Sequence, residues 1–219
     1  MKFKFIAVEG PIGVGKSSLV DLLSTRFDAV KVMEKTENPF LEDFYSDRPG
    51  AAFQAQLFFL LNRYQQQREL AQGDLFSQVT LCDYLFAKDK IFAYLNLDDS
   101  ELMIYERLYG LLEGHLPRPD LVIYLQASDR ILLERIRRRS RDYEMTISEQ
   151  YVAELNRAYN YFFFHYTATP LLVIDTSDID FVQRKEDLDE LINQIDHMEK
   201  GVQYYIPLGA GHGPRRERA

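Results

Sequence analysis

The 219-residue chain has a single cysteine, Cys82, so no internal disulfide can form. A reducing, cytoplasmic setting is expected. Basic residues are scarce relative to acidic ones, 26 against 34, which leaves a formal net charge of −8. That balance excludes generalised binding to nucleic acid, though not a local basic site. No apolar run reaches transmembrane length. The opening MKFKFIAVEG stops at charge and glycine too soon for a signal peptide. Neither nucleic acid nor a membrane is therefore an expected partner. The four histidines, His115, His165, His197 and His212, are isolated. No metal-ligand cluster and no Ser-His-Asp or Cys-His arrangement is visible.

The apolar pattern that is present alternates between two periods. Residues 3–8, 29–33, 78–82, 121–125 and 171–174 are short runs rich in Val, Ile, Leu or Phe and apolar on both faces. Parallel strands covered on both sides have this pattern. Helical patterns lie between them, at 17–26, 50–73, 89–97, 101–114, 129–139, 148–165 and 185–201. Ser128 or Asp129 can cap the fifth helix and Ser148 the sixth. The alternation predicts a doubly wound α/β fold, a five-stranded parallel sheet with helices on both faces. No repeat or linker interrupts it, so 1–205 is expected to be one domain. The small, polar and basic stretch at 206–219 reads as a disordered tail.

Between the first strand and the first helix lies GPIGVGKS, residues 10–17, which fits the pattern G-x-x-x-x-G-K-[ST]. Gly10, Gly13 and Gly15 let successive N–H groups point inward at phosphate oxygens. Gly10, Ile12, Gly13, Val14, Gly15, Lys16, Ser17 and Ser18 form the expected phosphate-binding set. The helix N-terminus adds partial positive charge. Lys16 would neutralise the β- and γ-phosphates of an NTP, and Ser17 would hold Mg²⁺. The motif alone does not separate kinases from GTPases, motor ATPases or switches.

Other residues suggest chemistry by their position. Glu34 follows the second strand, at the edge where doubly wound sheets bind ligands. A carboxylate there could take the proton of an attacking hydroxyl, although a single Glu is more commonly a cap or surface residue. Asp83 ends the third strand, a usual place for an acid that orders Mg²⁺, and equally a place for a turn residue. Beside it, Cys82 reads as core. Gln54 and Gln56 interrupt a helix whose Phe58, Leu60 and Leu61 read as core. A buried amide needs partners, and a base edge can supply them. Phe53, Phe86 and Tyr64 are aromatic candidates for stacking on a base, and equally candidates for core. RILLERIRRRSRD, residues 130–142, carries Arg130, Arg135, Arg137, Arg138, Arg139 and Arg141. In an acidic chain with a phosphate loop, a lid over a triphosphate is the favoured reading. Arg135 and Arg139, four residues apart, share a helix face, while Arg137 and Arg138 are expected to point outward.

Five stretches in order, VMEKTENPFLEDFY, AFQAQLFFLLNRYQQQ, CDYLFAKDKIFA, ERIRRRSRDYE and VIDTSDIDF, resemble the deoxynucleoside kinases, most closely the bacterial deoxyadenosine/deoxyguanosine kinases. The resemblance runs from about residue 4 to about 181. It implies a phosphate-loop NTPase-type three-layer fold with an Arg-rich lid. It implies transfer of the ATP γ-phosphoryl, with Mg²⁺, to the 5'-hydroxyl of a deoxynucleoside, a purine one, in nucleotide salvage. Glu34 matches the family's catalytic base, although the proline that often follows it is Lys35 here. Gln56 matches the base-reading glutamine, and Arg63 and Asp89 match the pair deeper in the base pocket. Phe86 joins that substrate set. Tyr45 and Glu144 match the residues that bind the 3'-hydroxyl. Arg135, Arg139 and Arg141 match the lid arginines. The loop 175–181, with Asp180 and Phe181, matches the segment against the ATP adenine. Asp83 matches the acid of an acid–arginine pair, but Tyr84 stands where the arginine would be, with Lys88 as a candidate replacement. The family is commonly dimeric, and the helix at 101–114 is the candidate contact. The rivals are a thymidylate-type nucleoside monophosphate kinase and a non-enzymatic NTP-dependent switch.

Overall fold

The computed structural model describes residues 2–72, 79–139 and 147–207. Its strands are β1 (Phe5–Glu9), β2 (Val30–Val32), β3 (Thr80–Cys82), β4 (Leu121–Gln126), β5 (Leu171–Asp175) and β6 (Val202–Tyr205). Its helices are α1 (Lys16–Phe27), α2 (Leu41–Tyr45), α3 (Ala51–Gln72), α4 (Asp89–Asn96), α5 (Asp99–Glu113), α6 (Asp129–Arg139), α7 (Glu149–Phe164) and α8 (Lys185–His197). The strands form one sheet in the order β2-β3-β1-β4-β5-β6, and every pairing is parallel.

The strand residues sort to the two faces with period two. On one face Ile6, Val8, Ile123, Leu125, Leu172 and Ile174 pack under Leu19, Val20 and Leu23 of α1 and Leu191 and Ile195 of α8. On the other, Ala7, Val122, Tyr124, Leu171 and Val173 meet Leu155, Tyr159 and Phe163 of α7. Burial on both faces is why these strands read as unbroken apolar runs.

The expected α/β architecture is present, with corrections to its elements. The sheet has six strands rather than five. The final helix, expected to run to residue 201, ends at His197. Gly201, at φ 81°, then turns the chain into β6. The sequence VQYY hides this strand because it lies at the sheet edge and alternates between exposed and half-buried positions. α2 was also not anticipated. α5 begins earlier than expected because Asp98 caps it, accepting the N–H groups of Ser100 and Glu101 at 2.9 Å each. Ser148 caps α7 as expected.

With every strand parallel, all carboxyl ends lie at one edge of the sheet. β1 sits between β3 and β4, where the winding reverses. That edge is the ligand crevice of doubly wound sheets. The chain after β1 is the phosphate loop. The chain after β2 carries Glu34, and the chain after β3 carries Asp83. The predicted tail falls mostly in 208–219, outside the described residues.

Candidate active site

The phosphate loop is fixed from two sides. At Gly10, φ is 153° and a Cβ would lie 2.3 Å from the Leu125 carbonyl oxygen. At Gly15, φ is 108° and a Cβ would meet the Phe181 ring at 3.0 Å. Only glycine fits either place. Lys16 Nζ donates to the carbonyl oxygens of Gly10 at 2.6 Å and Pro11 at 3.3 Å. Burial pushes the Lys16 pKa down, and nearby Glu9 opposes that shift.

Glu9 escaped the reading of the sequence. It is fully buried at the end of β1. Oε1 accepts the Gly10 N–H at 2.8 Å and Oε2 accepts the Leu85 N–H at 2.8 Å. The Tyr159 hydroxyl also reaches Oε1, at 3.3 Å. The available signal was a carboxylate closing an otherwise apolar strand, since such a group needs buried donors.

Asp83 joins the two sides of the cleft. Its Oδ2 accepts the Ser17 hydroxyl at 2.8 Å, and its Oδ1 accepts the Glu34 N–H at 2.6 Å. Glu34 in turn meets two cations. Oε1 accepts Arg63 Nε at 2.8 Å and Nη2 at 2.5 Å, and Oε2 accepts Lys88 Nζ at 2.6 Å. Burial would raise the Glu34 pKa. Lys88 and then Arg63 outweigh that, and bring it down to about 2. Arg63 Nη1 also pairs with Asp89 Oδ1. Gln56 Nε2 donates to the Asp89 carbonyl at 2.9 Å and to Oδ1 at 3.2 Å. The Arg63 guanidinium lies 4.7 Å from the centroid of the Phe59 ring.

These groups open onto one cleft of about 920 Å³. Ile12 to Ser18 line its phosphate side. Glu34, Tyr45, Gln56, Arg63, Asp83 and Lys88 line the acceptor side. Arg135, Arg138, Arg139, Asp180 and Phe181 line the rest. Two expected substrate residues stand back from it. Asp89 is fully buried behind Arg63 and Gln56. Phe86 stacks on Tyr109 at 5.1 Å, in a cluster with Leu60 and Tyr105. Phe53 and Tyr64 pack against that same cluster. The aromatic rings on the cleft wall are instead Phe44, Phe59 and Phe92, with Tyr45, Tyr151, Tyr159 and Phe181. Helical spacing could not choose between neighbouring rings of α3, because the cleft and the core meet along one helix. Leu61, expected in the core, is 54% exposed, and Gln54 is exposed.

The arginine run divides. Arg135 is tied to protein acceptors. Its Nη1 donates to Val14 O at 3.3 Å and Thr176 Oγ1 at 2.9 Å, and its Nη2 to Thr176 O at 2.7 Å and Ile179 O at 3.3 Å. Arg137 is outward as expected, paired with Glu149 at 2.6 Å. Arg138, also expected outward, lines the cleft. Asp180 Oδ1 accepts the N–H groups of Val182 and Gln183, which shapes the turn that presents Phe181. Arg141 and Glu144 lie outside the described residues.

The family profile described as Deoxynucleoside kinase matches residues 6–199. A deoxyguanosine kinase of Bacillus subtilis (strain 168) is 36% identical over 193 residues, 85% of this chain and 93% of that protein. A deoxyadenosine/deoxycytidine kinase of the same organism is 29% identical over 203 residues, 89% of this chain and 92% of that protein. Among solved structures, a deoxyadenosine kinase from M. mycoides, with products dCMP and a flexible dCDP bound, superposes with a TM-score of 0.75 at 26% identity. It covers 88% of this chain and 99% of its own. The phosphate loop, the Glu34–Arg63 pair and the profile match along most of the chain lead to one conclusion: this chain belongs to the deoxynucleoside kinase family.

Proposed function

We propose that the chain transfers the γ-phosphoryl group of ATP to the 5'-hydroxyl of a deoxynucleoside, preferentially a purine one. The observation that carries this is the bridge through Asp83. It joins Ser17 of the phosphate loop to Glu34 of the acceptor side in one cleft. The donor phosphates lie on the loop N–H groups, Lys16 and the N-terminus of α1. The base lies against Gln56 and Arg63, with Asp89 fixing both side chains. Tyr45 reaches the sugar side.

Glu34 accepts the hydrogen bond of the 5'-hydroxyl. Its two cations make it a weak base, and a loose phosphoryl transfer suits that, since the proton leaves late. Arg138 and Arg139 supply charge from the lid. Arg135 braces the phosphate loop against the loop at 176–179. The oxygen-only pair of Ser17 Oγ and Asp83 Oδ2, 2.8 Å apart beside the loop, fits Mg²⁺. When bound there, Mg²⁺ supplies neutralisation of the β- and γ-phosphate charge.

With its amide N–H groups held by Asp89, Gln56 presents Oε1 as an acceptor for an exocyclic amine such as adenine N6, which supports the purine reading. The B. subtilis relatives, named for deoxyguanosine and for deoxyadenosine/deoxycytidine, support it too. A monophosphate acceptor is disfavoured, because Tyr84 is fully buried with Phe5, Val32 and Cys82 and presents nothing to a phosphate. A second copy of the chain is the proposed cover for α5, where Met103, Ile104, Leu108 and Leu111 are exposed. Light scattering across protein concentration tests that pairing. Among the described residues no helix is long and apolar enough to cross a membrane. A cytoplasmic setting is in keeping with the free, buried Cys82.

One assay tests the function: ATP consumption with nucleosides, with nucleoside monophosphates, and with no acceptor. Phosphorylation of deoxyadenosine and deoxyguanosine, with thymidine poor, is the expected result. Turnover only with monophosphates, or without any acceptor, refutes it.

A further inference from the structure

Lys88 occupies a place that lysines avoid. It ends the 3-10 turn Phe86–Lys88 between β3 and α4 and is 4% exposed. A buried ammonium is costly unless its partners are well placed. Its partner is Glu34 Oε2, at 2.6 Å. Glu34 already has a cation on its other oxygen, in Arg63. All three guanidinium nitrogens of Arg63 are committed to Glu34 and Asp89. Lys88 is different. Its two remaining N–H groups have no acceptor among the described residues, and it lines the cleft that Lys16 also lines. Two lysines facing one cleft, one with donors to spare, suit an anion between them.

We propose that Lys88 is a catalytic residue that binds an equatorial oxygen of the transferring phosphoryl group while keeping Glu34 aimed at the 5'-hydroxyl. This rests on the kinase reading above. In the step, the 5'-oxygen forms its bond to the γ-phosphorus. The bond from that phosphorus to the β-γ bridging oxygen breaks, and its electron pair leaves with ADP. The hydroxyl proton passes to Glu34. Lys88 stays protonated and exchanges no proton. Charge on the phosphoryl oxygens changes along the transfer, so the contact acts on turnover more than on ground-state binding.

The test compares Lys88→Met, which keeps the stem and removes the charge, with Lys88→Arg, which keeps the charge. Steady-state kinetics use ATP and the best deoxynucleoside, with circular dichroism as the fold control. The expected result is a fall in kcat of about 10²-fold or more for Lys88→Met. Both KM values should stay within about threefold, and Lys88→Arg should recover to within about tenfold of the parent. A Lys88→Met enzyme with kcat within threefold of the parent overturns the proposal. So does a loss confined to the nucleoside KM. If Lys88→Met and Lys88→Gln both fail to fold while Lys88→Arg folds, the charge is structural and the proposal falls. Lack of turnover on any nucleoside by the parent enzyme would instead refute the kinase reading itself.

Discussion

Glu9 Oε2 accepts the backbone N–H of Leu85 at 2.8 Å, a contact between residues 76 apart in the chain. The other oxygen of the same carboxylate accepts the Gly10 N–H. One buried side chain therefore sets the phosphate loop against the segment that carries Asp83 and Lys88. Donor and acceptor halves of the cleft keep their spacing through it.

Glu9→Gln is expected to weaken the fold. An amide places an N–H where one of two backbone N–H groups needs an acceptor. An unsatisfied buried donor costs about 1–3 kcal/mol. For a chain of this size each kcal/mol lowers Tm by about 2–4 °C. A thermal melt checks it, and an unchanged Tm would show that the bridge carries no weight.

Gly10→Ala is expected to abolish nucleotide binding. The new methyl group would sit 2.3 Å from a backbone oxygen of β4, at φ 153°. Neither atom belongs to a flexible side chain, so the loop itself must move. Titration with ATP, followed calorimetrically, reads the loss. Binding within threefold of the parent would mean that the loop tolerates the shift.

Arg135→Ala should act on ATP rather than on the nucleoside. Its guanidinium spans Val14, Thr176 and Ile179, so the phosphate loop and the 176–179 loop lose their brace together. The expected outcome is a rise of about tenfold or more in the KM for ATP, since hydrogen bonds from a charged donor are worth about 1.5–3 kcal/mol. The nucleoside KM should stay within about twofold. Equal effects on both would remove the bracing role.

Glu34 ties stability to acid. Its folded pKa, about 2, lies below the unfolded carboxylate value of about 4.3. The stability it contributes is therefore fully present above about pH 4.3 and is lost as pH falls through about 2. The span corresponds to about 3 kcal/mol. Urea unfolding of the parent and of Glu34→Gln should differ most near pH 6 and converge by about pH 2. A difference that does not change with pH would contradict the ion pairs. In kinetics the same substitution should lower kcat by about 10²–10⁴-fold.

The spacing of GPIGVGKS, five apolar runs and the helical periods between them are local properties, and local spacing sets local backbone. That is why the phosphate loop, the α/β order and the strand-end positions of Glu34 and Asp83 could be read from the chain directly. β6 could not, because an edge strand with one exposed face lacks the apolar run that marks its neighbours. Glu9 and Lys88 could not be assigned partners either. A charged residue in a sequence is solvated by default, and only burial forces it to find one. The contacts that build the cleft join Arg63 to Glu34 across 29 residues, Lys88 to Glu34 across 54 and Tyr159 to Glu9 across 150. The parallel winding of β1, β2 and β3 gathers those groups at one edge, and the packing of α3, α4 and α7 then decides which side chains face the cleft and which the core.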